Sequence, residues 1–208
     1  MKRRNFPFNE PGFTVTELIT AVVLAMIIGV AFFSAYYVFR NAFYQQTAYY
    51  NSNRSVRFAL DSISKDAKEA IAVVPARGGD TTGTQVLILR LPSINNAGEP
   101  SDINSQYDYV TYKLDPNDNS VLIRDLDVLG GGSVRNNGQD AFGKVIGQTI
   151  QTLQFSSGGT NLSGLSASAI SGLKVLNANV AARDTTILSS QTQTSQLDAD
   201  IRLRNNLD

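Results

Sequence analysis

From Leu18 to Phe39 the chain carries no charged residue, and almost every position is aliphatic, aromatic or alanine. As a helix rising ~1.5 Å per residue, this run spans roughly 33 Å, enough for the hydrocarbon core of a bilayer. The pattern predicts a membrane-crossing helix. Lys2, Arg3 and Arg4 lie ahead of it. Such a basic leader biases the N-terminus to the cytoplasmic side and sends the rest of the chain to the far side. The stretch "NAFYQQTAYYNSN", 41–53, reads as a helix surface leaving the bilayer, with Tyr36, Tyr37, Phe43 and Tyr44 in the interfacial belt.

The apolar period then changes. In "RSVRFALDSISKDAKEAIAVVP" the residues Val56, Leu60, Ile63, Ala67 and Ala70 recur at spacings of four and three, one stripe of an amphipathic helix. Arg57–Asp61, Asp61–Lys65 and Lys65–Glu69 lie four apart on the solvated side. Pro75, Gly78 and Gly79 predict the helix end. Beyond Gly79 the pattern is that of strands. "TQVLILRLP" (84–92) is a continuous apolar run, expected to be a buried strand. "YDYVTYKLD" (107–115) and "VLIRDLD" (121–127) flank the turn-rich "PNDNS" and predict a hairpin. "IQTLQFS" (150–156), "LKVLNANVAAR" (173–183) and "SQLDADIRLRN" (195–205) complete the set. In the last of these, Leu197, Ala199, Ile201 and Leu203 alternate with charged residues. Segments 129–143 and 156–172, rich in Gly, Ser and Asn, read as loops. The fold class predicted is α+β: a long N-terminal helix, half membrane-crossing and half amphipathic, with an antiparallel β-sheet domain packed on its second half.

Composition removes most catalytic kits. The 208 residues include no Cys, His or Trp. No disulfide, no Cys or His metal site and no Cys/His nucleophile pair can form. The formal net charge is zero, from 18 basic and 18 acidic residues. There is no basic excess of the kind that marks a nucleic-acid binder. The sequence predicts no cofactor and no enzyme activity.

One residue does not fit a plain anchor. Glu17 stands at the edge of the apolar run, where an ionised carboxylate costs a few kcal/mol on insertion scales. A secretory signal fits poorly too. The run is about twice the length of a typical ~7–15-residue signal core, and no small-x-small cleavage site follows "AYYVFRNAFYQQ". "GFTVTEL", 12–18, resembles the prepilin signal of type IV pilins and type II secretion pseudopilins. That signal is a basic leader ending in Gly, then an aromatic residue, then Glu fifth in the mature chain, all heading an apolar helix. The resemblance implies cleavage by a prepilin peptidase between Gly12 and Phe13, N-methylation of Phe13, and pairing of the Glu17 carboxylate with the Phe13 amine of a neighbouring subunit. The leader here is longer than the commonest ones.

The resemblance divides the chain into a leader, 1–12, a membrane and filament-core helix, 13–53, and a globular pilin-like domain, 54–208. The order of elements after the helix is similar to that of minor pilins and J-type pseudopilins, on a far less specific match. It implies a structural subunit that primes, caps or joins a type IV pilus, held in the inner membrane with its C-terminal domain outside the cytoplasm until assembly. Its partners are the prepilin peptidase and other pilins of a filament-tip complex. The alternative within the family is a J-type pseudopilin of a type II secretion system. A rival from another class is a membrane-anchored binding domain with a coincidental motif, which predicts an uncut N-terminus. No sequence feature selects DNA, a cell surface or a secreted protein as a further contact.

Other candidate chemistry is weaker. Asp115, Asn117 and Asn119 have the one-three-five spacing of a calcium loop, but Ser120 and Leu126 stand where such a loop needs Gly and Glu. A hairpin turn is the expected reading. Asp125 and Asp127 share a strand face and are expected to be solvated.

Overall fold

The computed structural model describes residues 12–95, 97–101, 107–128, 133–135, 143–185 and 192–203. Two compact units divide at Tyr44 and Gln45. The first unit is helical from Val15 onward, and the same helix, α1 (Val15–Glu69), continues into the second unit. Every residue from 12 to 39 is exposed, and the first buried residue of α1 is Ala48.

The second unit adds a chain of strands. These are β1 (Ala72–Val73), β2 (Ala76–Arg77), β3 (Asp80–Thr81), β4 (Leu87–Ile94), β5 (Pro100–Ser101), β6 (Tyr107–Asp115), β7 (Asp118–Val128) and β8 (Lys144–Gly147). There follow β9 (Ile150–Ser157), β10 (Thr160–Asn161), a 3-10 turn at Leu162–Gly164, a short helix α2 (Ala167–Ser171), β11 (Val175–Thr185) and β12 (Thr192–Arg202). All pairings are antiparallel. A six-stranded sheet has the order β1-β4-β6-β7-β8 with β5 on β4, a four-stranded sheet has the order β10-β9-β11-β12, and β2–β3 is a small ribbon. The α+β class predicted from the sequence is present, with the β part built as two main sheets rather than one.

One core joins these layers. The α1 stripe Val56, Leu60, Ile63 and Ala67 meets Leu87, Leu89 and Leu91 of β4, Val110 and Tyr112 of β6, and Leu153, Phe155 and Val180 of the second sheet. Leu87, Ile88, Leu89 and Leu91 are all fully buried, as expected of a strand whose apolar residues face both ways. β12 alternates as its sequence predicts, with Ile201 buried and Asp198, Asp200 and Arg202 exposed.

The differences have local causes. The helix stops at Glu69 rather than Pro75. Ile71 N–H donates to the Arg90 carbonyl at 2.8 Å and Val74 N–H to the Ile88 carbonyl at 2.8 Å, so the segment Ile71–Val74, β-branched at three of its four positions, goes into the sheet edge. Within 156–172, Gly158 and Gly159 have φ values of 56° and 80°, the left-handed pair of a tight hairpin between β9 and β10. α2 begins where the Ser166 hydroxyl accepts from Ala169 N–H. Most of the expected 129–143 loop lies outside the described residues.

Two buried carboxylates tie α1 to the six-stranded sheet. Asp66 Oδ2 accepts from Arg124 Nε at 2.7 Å and from the Tyr112 hydroxyl at 2.6 Å, with the Ser62 carbonyl 2.9 Å from the same hydroxyl. Burial pushes the Tyr112 hydroxyl pKa far up, and the Asp66 charge adds to it. Asp108, fully buried on β6, accepts from Ser133 Oγ at 2.6 Å and lies 3.3 Å from Arg135 Nε. Arg135 also donates to Glu69 Oε2 at 3.0 Å, reaching the last residue of α1. Surface pairing differs from the i,i+4 expectation. Arg57 bonds Asn53 at 3.0 Å, and Glu69 is held by Arg135.

Residues 45–208, expressed alone, should fold as a soluble α+β unit; a disordered or all-helical circular dichroism spectrum would contradict this. In that unit Arg124→Ala should lower unfolding free energy by ~3–5 kcal/mol, because Asp66 is left charged and buried. Denaturant titration measures it. Of the eight tyrosines, Tyr112 should stay protonated in alkali until the fold opens. Its stabilising effect is full below the ordinary tyrosine pKa and is lost as pH climbs from there toward the raised folded value. Near-ultraviolet absorbance against pH, in the parent and in Tyr112→Phe, reads it directly.

Candidate functional site

The sequence-predicted residues Gly12, Phe13 and Glu17 sit together at the start of α1. Gly12, Phe13 and Thr14 precede the helix in non-helical conformation. The Leu18 N–H closes the first helical turn on the Thr14 carbonyl at 3.1 Å. Thr14 N–H and Thr14 Oγ1 both donate to Glu17 Oε2, each at 2.9 Å, and Glu17 N–H donates back to Thr14 Oγ1 at 3.3 Å. This is a reciprocal capping box, in which N-cap and third helical residue satisfy each other's open backbone donors. Glu17 also brings negative charge to the positive end of the helix dipole.

The sequence contained this signal. Thr14-Val15-Thr16-Glu17 has the S/T-x-x-E spacing of a capping box. The prepilin resemblance implies a partner for Glu17 outside the chain and no part for Thr14. In the structure Glu17 has a partner within its own chain. Both bonds fall on Oε2, and a carboxylate offers about four acceptor positions, so a further donor is compatible with the cap.

A Cβ built at Gly12 meets nothing within 4 Å, and its φ is not in the left-handed region. Among the described residues, no contact requires glycine at 12. Phe13 is 87% exposed. Among the described residues, nothing covers the apolar surface of α1 from Leu18 to Phe39. Leu18, Ile27, Val30, Phe33 and Phe39 are each more than half exposed. A helix apolar all round needs a non-aqueous surrounding, and among the described residues α1 is long and apolar enough to cross a membrane. Thr20 Oγ1 is satisfied inside the helix by the Thr16 and Glu17 carbonyls, at 3.0 and 2.9 Å, so it adds little polar burden there.

The weaker candidates resolve into structure. Asp115 Oδ1 accepts from Asn117 N–H at 2.9 Å, and Asp118 Oδ1 from Ser120 N–H at 2.9 Å, so both carboxylates serve the β6–β7 turn. The Ser120 hydroxyl and amide hold the Asp118 carboxyl below the usual range. Asp125 and Asp127 are paired rather than simply solvated. Asp127 bonds Arg77 at 2.9 Å, with that guanidinium stacked 3.6 Å over the Tyr109 ring, and Asp125 lies 3.6 Å from Lys113. Among the described residues no group of three or more acidic side chains is placed to hold a metal ion.

Comparison of the chain with known families, characterised proteins and solved structures found no match.

Thr14→Val should remove the cap at a cost of about 1 kcal/mol, and Thr14→Ser should keep it. In micelles, amide exchange in the first turn of α1 should speed up about fivefold for the valine variant, as about 1 kcal/mol of lost capping implies. Unchanged exchange would remove Thr14 from the site.

Proposed function

We propose that this chain is a structural, non-enzymatic subunit of a type IV pilin-like filament, most similar to a minor pilin. The observation that carries the reading is a capped apolar helix that leaves every residue from 12 to 39 exposed, headed by Gly12, Phe13 and Glu17. In this reading a prepilin peptidase cuts between Gly12 and Phe13, and the Phe13 amine is methylated. The space open around Gly12 among the described residues is compatible with a demand set by an outside partner. The chain crosses the inner membrane once with its N-terminus in the cytoplasm, then leaves it for the filament. There the lipid-facing helix surface becomes subunit-facing, so the same apolar residues serve both states.

Glu17 has two tasks in this reading. It caps its own helix through Oε2, and in the filament it pairs with the Phe13 amine of a neighbour. Unpaired, that amine is a buried charge, and breaking such a pair costs ~3–5 kcal/mol.

The mature protein should begin at methylated Phe13, as read by mass spectrometry of the assembled form. An intact leader on assembled protein sinks the proposal. The two tasks of Glu17 separate by substitution. Glu17→Gln keeps an acceptor for the Thr14 donors and loses the charge; Glu17→Ala loses both. Membrane level should hold or rise for each, since removing a charge eases insertion. If the charge matters, both variants lose filaments, scored by crosslinking to partner pilins at equal expression. If Glu17→Gln assembles like the parent, capping alone explains the residue.

A further inference from the structure

β12 leaves one edge of the four-stranded sheet open. The order is β10-β9-β11-β12, and among the described residues no strand pairs with the outer side of β12. The edge is long and regular. Its 11 residues face β11 without a register shift, whereas the β9–β11 ladder slips between Ala181 and Ala182. It holds no Pro, Gly or Lys. Apart from the charges of Asp198, Asp200 and Arg202, it lacks the devices that usually keep a free edge from pairing.

The backbone limits what can pair there. Leu203 N–H donates to the Lys174 carbonyl at 3.0 Å, in step with the β11–β12 register. Odd-numbered residues of β12 therefore turn their N–H and C=O groups to β11, and Gln196, Asp198, Asp200 and Arg202 turn theirs outward. The side chains of these four are exposed, while Ile201 and Leu203 are buried on the other face. A second β12 running antiparallel can bond only through its own even-numbered residues, which sets exposed side chains opposite exposed ones.

The charges then choose the register. A two-fold through Asp200 or through Arg202 sets like charges face to face, and one through Ala199 sets Asp198 against Asp200. A two-fold through Ile201 sets Asp200 against Arg202 twice, and Ala199 against Leu203 on the buried face. It also sets Asp198 against position 204, an arginine in the sequence and outside the described residues. Both central charges are available. Asn177 Nδ2 donates to Oδ1 of Asp200 at 2.9 Å, which leaves Oδ2 for a second donor. Arg202 has no ion-pair partner among the described residues. A parallel, in-register pairing would stack each charge on its own kind.

We propose that the β12 edges of two copies of this chain pair antiparallel about Ile201, joining their four-stranded sheets into one. Opposite charges directly across strands favour pairing and like charges oppose it. The series Asp-Ala-Asp-Ile-Arg therefore admits its own copy in one register and resists the neighbouring ones. The contact is isologous, so it uses the edge of both copies and stops at two. No residue of the segment 12–39 takes part, and this pairing and the proposed leader cleavage fail separately.

The chain has no cysteine, so a nitroxide attached at Gln196→Cys is its single label. With the two-fold at Ile201, the labelled positions lie roughly ten residues apart along the ladder, about 34 Å at ~3.4 Å per residue. A two-fold at Asp200 or at Arg202 gives about 27 or about 41 Å instead. Double electron–electron resonance on the detergent-solubilised full chain should show the separation of about 34 Å. Asp200→Arg or Arg202→Asp alone should lower the paired fraction about tenfold, because each turns both facing pairs into like charges. The two reversals together should restore it. These side chains are exposed, and circular dichroism checks that each variant is folded. Absence of that separation, or a signal indifferent to either single reversal, overturns the proposal. So does a double reversal that pairs no better than the single ones.

Discussion

The position of α1 on its sheet depends on one buried carboxylate. The apolar stripe of the helix is repetitive, so a shift by one turn would still set Val56, Leu60, Ile63 and Ala67 against apolar neighbours. Asp66 has no such freedom. Moving it by ~5.4 Å, one helical turn, strands its charge and that of Arg124 in the interior and leaves the Tyr112 hydroxyl without its acceptor. The Glu69–Arg135–Asp108 chain repeats the constraint one turn further on. The apolar core supplies the attraction between layers, and the charged groups select the register.

Period and turn chemistry made much of the fold legible in the sequence. The continuous run of β4, the β6–β7 hairpin and the alternation of β12 stand close to where their patterns put them. The exceptions are informative. The β-branched Ile71, Val73 and Val74 lean only weakly toward a strand, and the decision rests on the partner carbonyls of Arg90 and Ile88, outside the local sequence. The split into two sheets is likewise a matter of pairing, which a run of strands does not encode one by one. Asp66 reads as one more polar position on a helix. Its burial follows only once Arg124 and Tyr112, both distant in sequence, arrive beside it.

The candidate site was legible in its residues and incomplete in its geometry. Gly12, Phe13 and Glu17 stand out because each is costly or unexplained for a simple anchor. Thr14 did not, since a threonine at a helix start is ordinary. Yet Thr14 orients the carboxylate, and orientation decides which oxygen is offered outward. A charge at the head of an apolar helix therefore needs no outside partner to be tolerated, and an outside partner can still use it.

The strand order carries a consequence for how the chain reaches this state. β4, β6, β7 and β8 join the first sheet in the order they occur, and β9, β11 and β12 do the same in the second. Each new strand finds its neighbour already made, and because closure entropy grows only slowly with the length of a connection, no step carries a large entropic penalty. A chain delivered from its N-terminus onward, from a ribosome or through a translocation channel, can build both sheets as it emerges. It does not have to hold early strands open for late ones, which limits the time any bare sheet edge is available for aggregation.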